Sequence, residues 1–507
     1  MRLPFGRLAL ALDGDLVLGD VLERLARHNG DRRLVEEAPR SDDEPGLALT
    51  YAQAAKRVRR WAGGIAARVE PGDRVVVATP NGYEMLLLSL AASRAGAMPV
   101  PVNDSLTAGE LDHVIRNSDA RLVLRRAAEV DGEAPLAESF PADPKATAAL
   151  FYTSGTTGKP KGVELTHRSL VGSLGRAGAV PPALTGRFEA VLALPVAHIM
   201  GFAALLGLAC AGVPVYFLPR FNPVKVLDAI EQRRAAGFIG VPAMYRMLLE
   251  AGAESRDLKS VRFWGAGADA MAPDLARRFK KLGATASLPV VGAVGEATFF
   301  EGYGMVELGG GAAAKISPPL LGIGLGSDAF GFPLPGFSFR VVDPETGEPV
   351  GAGRSGELWI KGPGVTKGYW GDAEATAGAV TEDGWLRTGD LARLGPLGTV
   401  LFEGRAKDVV KVGGYSVYAL EVERAVEEHP DVLEAAVVPV PDDRRGEVPG
   451  CVVRLRAGAA LDEEALTAHA AERLAKYKVP AAWRAVDELP RTGTNKVKRR
   501  ELVELFT

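Results

Sequence analysis

Residues 152–162 read YTSGTTGKPKG, a stretch dense in glycine, hydroxyl side chains and lysine. Glycine allows positive φ and close backbone approach, so successive N–H groups can point inward as an anion nest. The hydroxyls add donors and Lys adds charge, a combination suited to a polyphosphate. A Walker A loop has four residues between its first Gly and its Gly-Lys pair, followed by Ser or Thr. Here Gly155 and Gly158-Lys159 enclose only Thr156 and Thr157, and Pro160 follows. The phosphate ligand survives that comparison; the P-loop NTPase does not.

Other segments carry chemistry at fixed points along the chain. WGAGADAM (264–271), EGYGMVELGG (301–310), GWLRTGDLA (384–392), EGRAKDVVKVGGYSVYALEVE (403–423) and LPRTGTNKVKRREL (489–502) each place charged or hydroxyl residues in glycine-rich turns. LPVAHIMGF (194–202) sets His198 among apolar residues. A lone histidine there also reads as a core residue, and the basic run Lys498-Arg499-Arg500 as a solvated face.

The elements that must position these turns alternate. RVVVATP (74–80), AMPVPVN (97–103), AALFYT (148–153), FEAVLALP, VPVYFLP, AGFIGVP and VRFWGAG read as strands, with helical patterns such as YEMLLLSLAASRAG (83–96) between them. Such βαβ alternation predicts parallel sheets covered by helices. From about Phe332 the pattern becomes short alternating strands (FSFRVVD, SGELWIKG, GTVLFEG), which suggests a small β-barrel over roughly 332–403. A compact α+β pattern follows. The predicted organisation is an N-terminal domain over 1–403 and a C-terminal domain over 404–507, with the boundary near Gly404.

At 507 residues the chain exceeds one ordinary core. A formal net charge of −3 gives no electrostatic reason to expect nucleic acid. Two cysteines, Cys210 and Cys451, lie far apart without metal-ligand spacing, which fits a reducing compartment and the cytoplasm. Val191–Pro219 has no charged residue, but Pro195, His198 and Pro214 interrupt it. A strand, a loop, a buried helix and a second strand explain it better than a transmembrane segment.

Taken in order, these motifs resemble the adenylate-forming superfamily of acyl- and aryl-CoA synthetases, adenylation domains and luciferases, and most of all a bacterial fatty acyl-CoA synthetase. The resemblance implies a large N-terminal domain of two α/β subdomains and a β-barrel, then a small mobile α+β domain. It also implies a two-step reaction: a carboxylate attacks the α-phosphorus of ATP, and a thiol then takes the acyl group. The first step is mostly positioning and electrostatic stabilisation.

On this resemblance Thr153, Ser154, Gly155, Thr156, Thr157, Gly158 and Lys159 cradle the ATP phosphates. Gly267, Ala268 and Asp269 meet the purine, Tyr303 stacks on adenine beside Gly304 and Met305, and Glu307 binds Mg²⁺. Val306 replaces a Thr whose hydroxyl would face the α-phosphate. Asp390 grips the ribose and Arg405 reaches the nucleotide. Lys407 is the pivot, while Lys411, Gly413 and Gly414 serve the CoA step. Lys496 bridges carboxylate and α-phosphate, with Asn495 where Gly is more usual, and His198 lines the acyl pocket.

The pocket segment lacks the Asp that an amino-acid adenylation domain uses, which favours a stand-alone acid:CoA ligase. The implied partners are a small carboxylic acid, ATP, Mg²⁺ and coenzyme A, with a homodimer left open. The apolar pocket segments point to an aliphatic or fatty acid first and an aryl acid second. A non-catalytic nucleotide- or acyl-binding member is the alternative that Val306 and Asn495 raise.

Overall fold

A computed structural model describes residues 15–40, 46–153, 160–172, 188–288, 290–319, 329–395, 398–413, 415–492 and 497–506. The chain forms two compact units. The first comprises Met1–Ser327, Gly331–Ser338 and Lys361–Leu386; the second comprises Asp328–Phe330, Phe339–Ile360 and Arg387–Thr507.

In the first unit one sheet runs in the order Ala313–Ser317, Thr298–Tyr303, Phe263–Gly267, Gly237–Gly240, Ala190–Leu192, Val215–Phe217, Arg33–Glu37, Leu47–Thr50. Its central pairs are all parallel, and antiparallel partners close each end. A second, parallel sheet holds Met98–Pro101, Arg74–Val77 and Ala120–Leu124. The alternation read from the sequence is thus realised twice.

The helix Tyr83–Arg94 is buried on every face, as its run of Leu and Ala requires. Each fully buried Leu there stabilises the fold by roughly 1.5–3 kcal/mol. Its N-terminus has no side-chain cap of its own. Instead the buried Glu37 carboxylate accepts the Tyr83 N–H at 2.7 Å. Burial pushes the Glu37 pKa up, against the hydrogen bond from Tyr83 and the charge of Arg40. The charge-free stretch resolves into Ala190–Leu192, the helix Ile199–Ala211 and Val215–Phe217. Among the described residues no helix is long and apolar enough to cross a membrane.

The strands Ser338–Val342, Gly356–Lys361, Leu386–Leu394 and Val400–Arg405, which belong to the second unit except for the end residues Ser338, Lys361 and Leu386, are neighbours in that order, the last two antiparallel. A further sheet runs Tyr415–Tyr418, Val409–Val412, Gly446–Leu455, Val432–Asp442, with Ala482–Ala485 parallel to Gly446–Leu455. The helices Ala419–Glu427 and Glu463–Arg473 bury Val422, Val426, Leu466 and Ala470. Residues 387–403 therefore share a compact unit with the chain beyond Gly404, where the sequence suggested a boundary.

His167 follows the strand Lys161–Thr166 and is 5% exposed. Its Nδ1 accepts the Leu18 N–H at 3.0 Å. Burial holds its pKa down at about 4, with Asp143 pulling weakly the other way. The unfolded chain therefore takes up this proton first. The contribution is fully present above the ordinary histidine pKa of about 6.5 and is lost as pH falls toward 4, at most about 3 kcal/mol. Urea midpoints measured at pH 7.5 and 4.5 check this: His167→Asn, which keeps an acceptor and does not titrate, should lose less stability across that interval than the native chain.

Candidate active site

The parallel register fixes the centre of the site. Gly267 lies opposite Gly302, and Ala266 opposite Glu301, on adjacent strands running the same way. The segments after Phe263–Gly267 and Thr298–Tyr303 thus leave the sheet at neighbouring carboxyl ends, where open α/β sheets bind ligands. The segment that carries His198 leaves from Ala190–Leu192 at the same edge. Three motifs scattered over more than a hundred residues are gathered by strand direction alone.

Each turn has a local cause. Ala268 has a φ of 69°, a left-handed conformation strained for a residue with a Cβ. Asp269 Oδ1 accepts the Ala270 N–H at 2.8 Å. Gly304 must be glycine, because a Cβ there would collide with the Gly310 carbonyl. Tyr303 is 9% exposed at its strand end. Met305 precedes the single turn Val306–Leu308, which carries Glu307.

Val306 precedes Glu307 in that turn. Its side chain is 8% exposed and belongs to the large apolar cluster of the first unit. The sequence offered the motif position but not which way its side chain turns.

Glu307 is held at both ends. Its carbonyl accepts the Thr366 N–H at 2.8 Å, and Oε1 accepts the Tyr369 hydroxyl at 3.0 Å. Burial, and then the neighbouring Glu307 charge, push the Tyr369 phenol well above its ordinary pKa, so it stays a donor. A carboxylate oxygen is the donor type Mg²⁺ takes, with waters and phosphate completing its shell. The residues present therefore fit that cation. Thr366 and Tyr369 went unremarked in the sequence; the signal was there in GVTKGYW (364–370), another hydroxyl-bearing glycine turn.

His198 caps the helix Ile199–Ala211, its Nδ1 accepting the Met200 N–H at 3.3 Å. Asn81, also unremarked, ties this segment down. Its Oδ1 accepts the Val196 N–H at 2.8 Å, and its Nδ2 donates to the Pro219 carbonyl at 2.8 Å.

Thr153 ends the strand Thr147–Thr153, which pairs antiparallel with Lys161–Thr166. Ser154, Gly155, Thr156, Thr157, Gly158 and Lys159 connect the two and lie outside the described residues. At the far side of that connection the Pro160 carbonyl meets His113 Nε2 at 2.9 Å. Burial pushes the phenol of Tyr152, next to Thr153, up to about 12.

In the second unit Asp390 and Arg405 face each other across adjacent strands, and Arg405 Nε lies 3.0 Å from Asp390 Oδ1. Asp390 is 2% exposed. The Thr388 hydroxyl, donating to the Leu358 carbonyl, accepts the Asp390 N–H at 3.1 Å. Lys407 sits in the turn Ala406–Asp408. Lys411 Nζ donates to Ser416 at 2.9 Å, and Gly413 has a φ of 55°. Gly414, Asn495 and Lys496 lie outside the described residues.

The fold and these turns define an adenylate-forming enzyme. Residues 22–370 match the AMP-binding enzyme family and residues 421–496 its C-terminal domain. A feruloyl-CoA synthase of Amycolatopsis sp. is 36% identical over 489 residues, covering 91% of this chain and 94% of that protein. A long-chain-fatty-acid–CoA ligase of Bacillus subtilis is 36% identical over 361 residues, covering 70% and 61%. The structure of the Bacillus subtilis O-succinylbenzoate coenzyme A synthetase with ATP and magnesium superposes with a TM-score of 0.80 at 27% identity, covering 95% and 99%.

The chain belongs to the AMP-binding enzyme family. It is an ATP-dependent acid:CoA ligase that uses ATP, Mg²⁺ and coenzyme A.

The burial of Val306 generates a prediction. Val306→Thr should place a hydroxyl in an apolar contact and destabilise the protein by about 1–3 kcal/mol, with no gain in adenylation rate. Urea unfolding together with a pyrophosphate-release assay checks both halves.

Proposed function

We propose that the acid is aromatic, of the hydroxycinnamate kind, rather than the fatty acid that the apolar pocket segments first suggested. The observation that carries this reading is the Gly267–Gly302 pair. In a parallel pair, directly opposed residues present the same face. A Cβ on Gly267 would press within 3.1 Å of the Gly302 carbonyl and 3.4 Å of Met200 Cε, and one on Gly302 would meet nothing closer than the Phe300 ring at 3.8 Å. The strand surface beside Met200 is thus flat backbone, with the 41%-exposed Phe300 two residues along the same face. A flat floor edged by a thioether and an aromatic ring suits a planar ring better than a flexible chain. Similarity over nearly all of a feruloyl-CoA synthase supports the same choice.

The family resemblance supports the following division of roles. Glu307 offers a carboxylate to the cation that accompanies the nucleotide phosphates. Lys496 supplies the positive charge for the approaching acid and the α-phosphate, and Gly414 leaves space for pantetheine once the C-terminal domain, pivoting at Lys407, has turned. Asp390 and Arg405 serve the nucleotide. Two buried, unpaired cysteines are consistent with a cytoplasmic address.

Pyrophosphate release with ferulate, 4-coumarate, benzoate, octanoate, palmitate and malonate tests the substrate. Hydroxycinnamates should exceed octanoate in kcat/KM by about tenfold or more, a difference of about 1.4 kcal/mol in transition-state binding. Faster turnover of octanoate or palmitate would return the fatty-acid reading. Lys496→Ala should lose on the order of 10²-fold in adenylation while still forming thioester from supplied acyl-adenylate. Equal loss in both half-reactions would remove Lys496 from the adenylation step.

A further inference from the structure

Glu307 sits on a single three-residue turn, Val306–Leu308, which gives a long side chain little support of its own. Its support comes from the segment 364–372. That segment lies along the strand Lys161–Thr166, the strand that leaves the glycine-rich phosphate segment. The Glu164 N–H donates to the Gly368 carbonyl at 2.9 Å, and the Trp370 N–H to the Gly162 carbonyl at 2.8 Å. The Thr366 hydroxyl donates to the Glu164 carbonyl at 2.7 Å. Lys161 Nζ lies 3.2 Å from Asp372 Oδ2 and 5.4 Å from the centre of the Tyr369 ring. The Tyr369 N–H is tied to Thr376 Oγ1 at 2.9 Å. From this anchored position the Tyr369 hydroxyl reaches Glu307 Oε1 at 3.0 Å.

We propose that Tyr369 is a positioning residue for adenylation: its hydroxyl fixes one oxygen of Glu307 so that the other is presented to the cation of the bound nucleotide. The inference rests on Glu307 as the cation ligand. The chemistry of the donor matters. A phenol is neutral, so it orients the carboxylate without cancelling its charge. An Arg or Lys at the same place would compete with the cation for both oxygens. Because the same segment is bonded to the strand Lys161–Thr166, the cation carboxylate is tied to the strand that follows the glycine-rich stretch. Preorganisation of this kind spares the site the cost of ordering Glu307 when nucleotide arrives.

The test separates cation binding from turnover. Titration calorimetry with α,β-methylene-ATP gives a dissociation constant in EDTA and another in excess Mg²⁺, and their ratio measures what the cation adds. Tyr369→Phe keeps the ring and removes the hydroxyl. It should leave the EDTA value unchanged and cut the Mg²⁺ advantage by about tenfold. Glu307→Gln should remove most of that advantage. Thr366→Val cuts the hydroxyl's bonds to Glu164 and Gly368 but leaves the Thr366 N–H on the Glu307 carbonyl and the phenol on its carboxylate, and should retain the native ratio. If Glu307→Gln keeps the native ratio, the cation reading of Glu307 is wrong. If Glu307→Gln loses it and Tyr369→Phe does not, the positioning role alone is overturned. Equal loss of EDTA affinity in Tyr369→Phe and Thr366→Val would make Tyr369 a general brace of its segment, and that also overturns the proposal.

Discussion

The parallel register between Phe263–Gly267 and Thr298–Tyr303 is the constraint on which the site depends. It sets Gly267 beside Gly302, so two glycine turns emerge at one edge of the sheet. Slipping the pair by one residue would turn one strand over relative to the other, since side chains alternate with a period of two. Phe299, fully buried beside Tyr245 in the cluster that also holds Trp264 and Phe279, would then exchange places with the exposed Phe300. The aromatic cluster around Tyr245, Trp264 and Phe279 opposes that slip. The core on one face of the sheet thereby holds the functional turns at its end.

A second principle is support at a distance in sequence. The turn at Glu307 is short, the His198 segment is a loop, and the phosphate segment joins two strands of a hairpin. Neither the turn at Glu307 nor the His198 loop is rigid by itself. Thr366 and Tyr369 hold Glu307, Asn81 holds the loop ahead of His198, and Glu37 holds the helix that follows Asn81. Thr366 does so through its backbone N–H on the Glu307 carbonyl; the others are side chains hydrogen-bonded to backbone or to one another between segments far apart in sequence. Loops carry the chemistry, and buried polar contacts from rigid elements decide how well they are placed. In the second unit the mutual pair of Asp390 and Arg405 does the same, with the carboxylate nearly fully buried and the guanidinium reaching outward.

The substrate question shows how little composition decides at a pocket. The segments HIMGFAALLG and FIGVPAMY are apolar, and apolar segments by themselves favour an alkyl chain as much as a ring. What distinguishes the two is shape. The side-chain-free surface at Gly267 and Gly302 exists only once the two strands are side by side.

The sequence by itself determined the alternation that yields two parallel sheets and the breaking of the charge-free stretch into strand, helix and strand. These are local properties, written in residue type and period over a few turns of chain. It also gave, through ordered motifs, the family to which the chain belongs. Only the tertiary structure decided that Val306 turns into the apolar cluster, that Tyr369 and Thr366 hold Glu307, that Asn81 holds the approach to His198, and that residues 387–403 group with the chain beyond Gly404. The physical reason is the same in each case. Which way a side chain turns, and which distant group meets it, depends on packing and pairing between segments far apart in sequence. No local period encodes that partner.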